Sequence, residues 1–128
     1  MKIGFIGLGN VGGKLANNLI KGKYKLIVKD LDTKLSKKFK KKGADIASSP
    51  KELAAKSDII ITCLPSPKIC SKVMTAKNGV LKGLSKNKIW LEMSTTDQAE
   101  IKRIGMMVNK KGSFALDVPV SGGCHRAA

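Results

Sequence analysis

The sequence predicts an α/β fold, a single domain built on one doubly wound parallel sheet. Three observations predict it. Short apolar runs alternate along the whole chain with segments of helical periodicity. The connections between them are short, so that parallel neighbours need the intervening helices as crossovers. The run Ile59 to Cys63 is apolar almost throughout, as suits a strand buried on both faces between two helical layers. A length of 128 residues fits one such domain, and no repeat or low-complexity linker divides it.

The elements follow in order. Lys2 to Ile6 is an apolar strand running into glycines, and Val11 to Lys21 places Val11, Leu15, Leu19 and Ile20 near helical spacing, with Gly22 as a stop. Lys25 to Lys29 carries the second strand and ends at Asp30. Asp32 or Thr33 caps a helix to about Lys42, with Leu35 and Phe39 four apart on its inner face and Gly43 closing it. A brief strand at Asp45 to Ala47 comes next. Ser49 as cap, Pro50 at the first helical position and Glu52 in the first turn predict a helix to about Ser57. After the strand Ile59 to Cys63, Pro67 starts a helix to about Thr75. Ile89 to Glu92 reads as a fifth strand, Thr96 to Asn109 as a helix, and Phe114 to Val118 as a sixth strand.

Composition narrows the function. Hydrophobic residues make up 42%, and no apolar run approaches the roughly 18 residues of a membrane span, so no membrane role is expected. The run from Ile3 meets a glycine turn instead of the layout of a signal peptide, and the cytoplasm is the expected compartment. Cys63, Cys70 and Cys124 show no C-x-x-C spacing and His125 is the lone histidine, so neither a disulfide framework nor a metal site is expected. Cys63 reads as a small hydrophobe of its strand. Cys124 beside His125 would point to opposite sides of an extended segment and is not read as a reactive pair.

The formal charge is +16, from 25 basic and 9 acidic residues. Lysines dominate, with Arg103 and Arg126 the only arginines. Few aromatics interleave them, and the densest run, Lys37 to Lys42, falls on a helical pattern. Such a run reads as a solvated helix face, not a nucleic-acid surface, though the charge can still draw in anionic ligands.

Ligands of such sheets sit at the carboxyl ends of the strands. There the sequence places Gly7-Leu8-Gly9-Asn10-Val11-Gly12, a G-x-G-x-x-G turn between a strand and a helix, with an acid, Asp30, about 20 residues on. This is the fingerprint of a Rossmann-type dinucleotide-binding domain. Gly7 permits the tight turn, Gly9 lets backbone approach a pyrophosphate, and Gly12 lets helix and sheet pack closely. Asp30 can accept hydrogen bonds from both ribose hydroxyls and repel a 2'-phosphate, which favours NAD as cofactor. NADP stays open because Lys29 or Lys34 could reach that phosphate, and Asp32 could compete for the ribose. Past the sixth strand, Ser121, Gly122 and Gly123 offer a hydroxyl and two unencumbered backbone N–H groups to a carboxylate. A plain turn would need the same glycines.

Together, Gly4 to Gly12, Leu64-Pro65, Met93-Ser94-Thr95 and Asp117-Val118-Pro119-Val120-Ser121-Gly122-Gly123 resemble the β-hydroxyacid dehydrogenase family, and within it the 3-hydroxyisobutyrate branch. The resemblance runs the length of the chain. It implies that Leu64, Pro65 and Thr95 line the cofactor beside Gly7, Leu8, Gly9, Asn10, Val11, Gly12 and Asp30. It also implies that Ser121, Gly122 and Gly123 hold the carboxylate of a small hydroxy acid. The chain departs from the family at Val11, where methionine is usual, and at Cys124, where valine is common; both read as packing variants.

Family members continue into a helical second domain that carries the catalytic lysine and through which they usually assemble. The expectation is therefore that residues 1–128 form the cofactor-binding half, with the lysine beyond Ala128. This fragment would be inactive alone, and the full-length protein would be a homo-oligomer. Two alternatives stay open. One is an NADPH-dependent reductase of tartronate semialdehyde, succinic semialdehyde or glyoxylate; the other is a non-catalytic nucleotide- or polyanion-binding domain.

Overall fold

A computed structural model describes residues 1–94 and 97–118, and in them the predicted alternation is realised. The elements are β1 (Lys2–Ile6), α1 (Asn10–Lys21), β2 (Lys25–Lys29), α2 (Thr33–Lys41), β3 (Asp45–Ile46) and α3 (Pro50–Lys56). They continue as β4 (Ile59–Thr62), α4 (Pro67–Thr75), α5 (Val80–Gly83), β5 (Ile89–Glu92), α6 (Gln98–Lys110) and β6 (Phe114–Asp117). The strands form one sheet in the order β3-β2-β1-β4-β5-β6, with every neighbouring pair parallel. That is the Rossmann order, and it reverses direction between β1 and β4.

Period-two alternation sends successive strand residues to two separate cores. Ile3, Phe5, Leu26, Val28 and Ile61 pack with Ala16 of α1 and Phe39 of α2. Ile6, Ile27, Ile60 and Trp90 face the other way, against Leu53 of α3, Met74 of α4, Val80 and Leu81 of α5 and Ile104 of α6. Both faces of the central strands are thus covered, which is why their sequences are apolar without interruption. Towards β6 the cover on the α1 side runs out. Phe114 and Leu116, which register with Ile89 and Leu91, stand exposed. No described helix is long and apolar enough to cross a membrane.

Pro50, Pro67 and the cap Ser49 punctuate the helices where the sequence indicates, and Ser66 adds a cap that it does not. Ser49 and Ser66 cap α3 and α4, each accepting from a backbone N–H three residues on. Of the two candidates for the α2 cap, Asp32 fills the role, accepting from the Lys34 N–H at 2.9 Å. The lysine run lies on the solvent face of α2, where Lys37, Lys38, Lys40 and Lys41 are exposed while Phe39 is buried. After α1 the left-handed residue is Lys23, with φ 64°, and not Gly22; after α2 it is Gly43, as expected of a helix-closing glycine.

Several boundaries differ from expectation by a residue or two, and one helix is new. The pairing of β4 stops at Thr62, one residue short of Cys63. Helix α6 starts at Gln98 because the Asp97 carboxylate takes the Ala99 N–H and so acts as its cap. The four-residue α5 is not predicted, since a single turn is too short to show a period. It nonetheless supplies the buried Val80 and Leu81, and Gly83 gives its backbone room against the Lys51 carbonyl.

At the start of α3 the capping is reciprocal. The Glu52 carboxylate accepts from the Ser48 N–H at 3.1 Å and the Ser48 hydroxyl at 3.0 Å, and these bonds hold its pKa below the ordinary glutamate value. A carboxyl with a lowered folded-state pKa contributes stability that is complete above its unfolded value, about 4.3, and is lost as pH falls through the folded value. Thermal melts of Glu52→Gln should therefore fall below the parent at pH 7 and converge on it below about pH 4. A gap that persists at low pH would contradict this reading.

Candidate functional site

The carboxyl ends of β1, β2, β4 and β5 enclose a cleft of about 670 Å³. Its floor is the turn from β1 into α1. Gly7 has φ +101°, and a side chain there would run into the Cys63 carbonyl of the adjacent β4 end. A Cβ on Gly12 would strike the Gly7 carbonyl. Both glycines are demanded by the fold itself.

Gly9 is different. A Cβ placed on it meets no described residue within 4 Å, and its φ of −70° and ψ of −160° are extended backbone. None of the described residues requires a glycine there, and its bare backbone leaves the turn open to a group approaching from the cleft. Gly9 is also the N-cap of α1, without a side-chain cap and with no acid in the first turn. The first N–H groups of a 12-residue helix thus face the cleft, with the positive end of the helix dipole behind them.

Asp30 stands beside this turn at the end of β2. One carboxylate oxygen accepts from the Leu8 N–H at 2.6 Å and the other from the Asp32 N–H at 2.8 Å. Two backbone donors fix the carboxylate in place, and each oxygen keeps a lone pair for a further donor. The Asp32 carboxylate is turned to the α2 cap instead.

The residues predicted for the cofactor divide accordingly. Gly7, Gly9, Asn10, Val11, Gly12, Asp30, Leu64 and Pro65 all line the cleft. Leu8 has its side chain in the core, 2% exposed, and meets the site through its amide bond to Asp30. Thr95, Ser121, Gly122 and Gly123 lie outside the described residues. Lys29 lines the cleft next to Asp30.

Sequence reasoning misses most of the apolar walls, formed by Leu31 and Leu35 near Asp30 and by Ile69 and Val73 farther along, and it names Met93, which also lines them, without a role. It also gives no role to Ser94, whose hydroxyl accepts from the Leu64 N–H at 2.6 Å, or to Glu92 behind it. An acid closing an apolar strand is the signal that could have found Glu92. Burial raises the thiol pKa of Cys63, and burial followed by the neighbouring Glu92 raises that of Cys70, so neither is an activated nucleophile. Among the described residues no group of three His, Cys, Asp or Glu is placed to hold a metal ion.

Comparison with known proteins agrees with this geometry. Residues 2–128 match the family model described as the NAD binding domain of 6-phosphogluconate dehydrogenase. The chain is 44% identical to the mitochondrial 3-hydroxyisobutyrate dehydrogenase of Mus musculus over 121 residues, and 40% identical to that of Homo sapiens over the same length. Each match covers 94% of this chain and 36% of the relative, so the chain spans about a third of the length of these enzymes. Among solved structures, the 3-hydroxyisobutyrate dehydrogenase of Mycobacterium tuberculosis, solved with L-serine, superposes with a TM-score of 0.88 at 26% identity. That match covers 97% of this chain and 42% of the other.

The contrast between the glycines is testable by mutation. Gly12→Ala should destabilise the chain by about 1–3 kcal/mol, as overpacking against backbone does. Gly9→Ala should cost less than about 1 kcal/mol, the difference between glycine and alanine at an N-cap. Urea denaturation of both variants checks this, and equal losses would contradict it.

Proposed function

The chain belongs to the family of the NAD binding domain of 6-phosphogluconate dehydrogenase, and we propose that it is the cofactor-binding part of an NAD-dependent β-hydroxyacid dehydrogenase of the 3-hydroxyisobutyrate type. The observation that carries this reading is the open turn at Gly9, a glycine that none of the described residues requires, at the start of α1, which has no side-chain cap. A pyrophosphate would take the N–H groups of Asn10 and Val11, where backbone donors and helix dipole both favour an anion. The free lone pairs of Asp30 would accept from the ribose hydroxyls. Leu64, Pro65 and Thr95 would line the nicotinamide end.

When bound, nicotinamide supplies a hydride acceptor at carbon, which no side chain can offer. What this chain contributes is orientation, by holding the two halves of the dinucleotide across the reversal point of the sheet. Ser121, Gly122 and Gly123 would hold the carboxylate of a small hydroxy acid. The proton at its hydroxyl falls to a lysine beyond Ala128, in a domain through which the whole protein would assemble as a homo-oligomer. The free thiols of Cys63 and Cys70 suit a reducing compartment such as the cytoplasm. The mammalian relatives above are named as mitochondrial.

NAD is preferred over NADP because a 2'-phosphate would meet the fixed Asp30 carboxylate at close range. The second reading, an NADPH-dependent semialdehyde reductase, draws on Lys29, which lines the same corner and carries the charge a 2'-phosphate needs. Titration calorimetry with NADH and NADPH separates them. The unmutated chain should bind NADH the more tightly, and Asp30→Ala should weaken NADH by about 10- to 100-fold, the worth of a lost charge-assisted pair, while narrowing the gap to NADPH. Asp30→Asn, which keeps an acceptor for the Leu8 N–H, should show the same order with a smaller loss. Tighter NADPH binding by the unmutated chain would overturn the NAD assignment.

A further inference from the structure

We propose that Glu92 is a positioning residue for the nicotinamide side of the cleft, an inference that rests on the dinucleotide reading above. Glu92 is fully buried at the end of β5 and does not line the cleft. One carboxylate oxygen accepts from the Thr62 hydroxyl at 2.8 Å and the Cys70 thiol at 2.7 Å, and the other accepts from the Ser94 N–H at 2.5 Å. The Trp90 indole donates to the Thr62 oxygen at 2.9 Å, which commits the Thr62 proton to Glu92. Ser94 in turn accepts the Leu64 N–H through its hydroxyl. A single side chain thus ties the end of β4, the helix α4 and the turn after β5 into one unit.

None of the ion pairs among the described residues includes Glu92. A carboxylate buried without a cation is costly, and hydrogen bonds from neutral donors recover only part of that cost. An apolar side chain of similar size would avoid that cost but leave the Thr62 hydroxyl, the Cys70 thiol and the Ser94 N–H without their acceptor, so what the carboxylate adds is one acceptor that holds three donors in fixed geometry. It accepts from three donors at once, and the geometry it fixes ends on the cleft. Leu64 and Ser94, the last members of the network, both line it. They stand on the β4 and β5 side of the reversal between β1 and β4, whereas Asp30 and the glycine turn stand on the β1 and β2 side. In a sheet of this order the two halves of a dinucleotide lie on opposite sides of that point. Glu92 therefore controls the wall for one half of the ligand and leaves the adenosine half alone.

The test compares NADH with ADP-ribose, which lacks the nicotinamide ring, by titration calorimetry on the full chain and its Glu92→Leu and Glu92→Gln variants. Glu92→Leu should bind ADP-ribose within about twofold of the parent and NADH about tenfold more weakly, the effect of roughly one well-placed contact. Glu92→Gln should recover much of the NADH loss, since its amide oxygen still accepts from Ser94 and the Thr62 oxygen can accept from its amide. If Glu92→Leu does not fold, Cys70→Ala, which removes one donor to Glu92 outside the cleft lining, should show the same split in smaller measure. Equal losses for both ligands, or no loss for either, would overturn the assignment. An unmutated chain that binds neither ligand would overturn the dinucleotide reading, and this inference with it.

Discussion

The molecule depends on one close approach of backbone to backbone. Where β1 turns into α1, Gly7 lies against the Cys63 carbonyl at the end of β4, and Gly12 of the helix lies against Gly7 itself. Without side chains at those two positions the first turn of α1 can sit directly over the gap between β1 and β4. The sheet order reverses at that gap, so the connections after β1 and after β4 leave on opposite faces and open a crevice between them. The cleft follows from this geometry.

A second constraint is electrostatic. The turn brings uncapped N–H groups together at the start of α1, and the same turn is steadied from outside by Asp30 through the Leu8 amide. An anion-attracting helix end and a fixed carboxylate thus stand side by side. A dinucleotide has the matching order of groups, a pyrophosphate next to a diol. The high positive charge of the chain lies elsewhere, on solvated faces such as that of α2, and assists encounter with an anionic ligand more than it defines the site.

Features set by neighbours along the chain are legible in the amino-acid sequence alone. The Ser-Pro pair at the start of α3, the proline at the start of α4, the glycine turn, and the acid at the end of β2 each act over a few residues, and each stands where the sequence indicates. The interior of β5 is legible for the same reason. What escapes is either too short or too distant. The turn of α5 has no period to detect, and the start of α6 at Gln98 depends on the Asp97 carboxylate reaching the Ala99 N–H. The partners of Glu92 lie 22 and 30 residues away, at Cys70 and Thr62, and only the folded sheet brings them to it. The apolar walls of the cleft, Leu31 and Val73 among them, come from separate elements and carry no shared pattern.

Backbone resonances of the chain, followed by NMR during titration with NADH, address the open turn most directly. The amides of Gly9, Asn10 and Val11 should shift first and furthest together with that of Leu8, which Asp30 holds. The exposed lysines of α2 should stay near their free positions. Shifts confined to the lysine-rich face of α2, with the turn unmoved, would show that NADH is held by surface charge alone and that Gly9 is not open for a ligand.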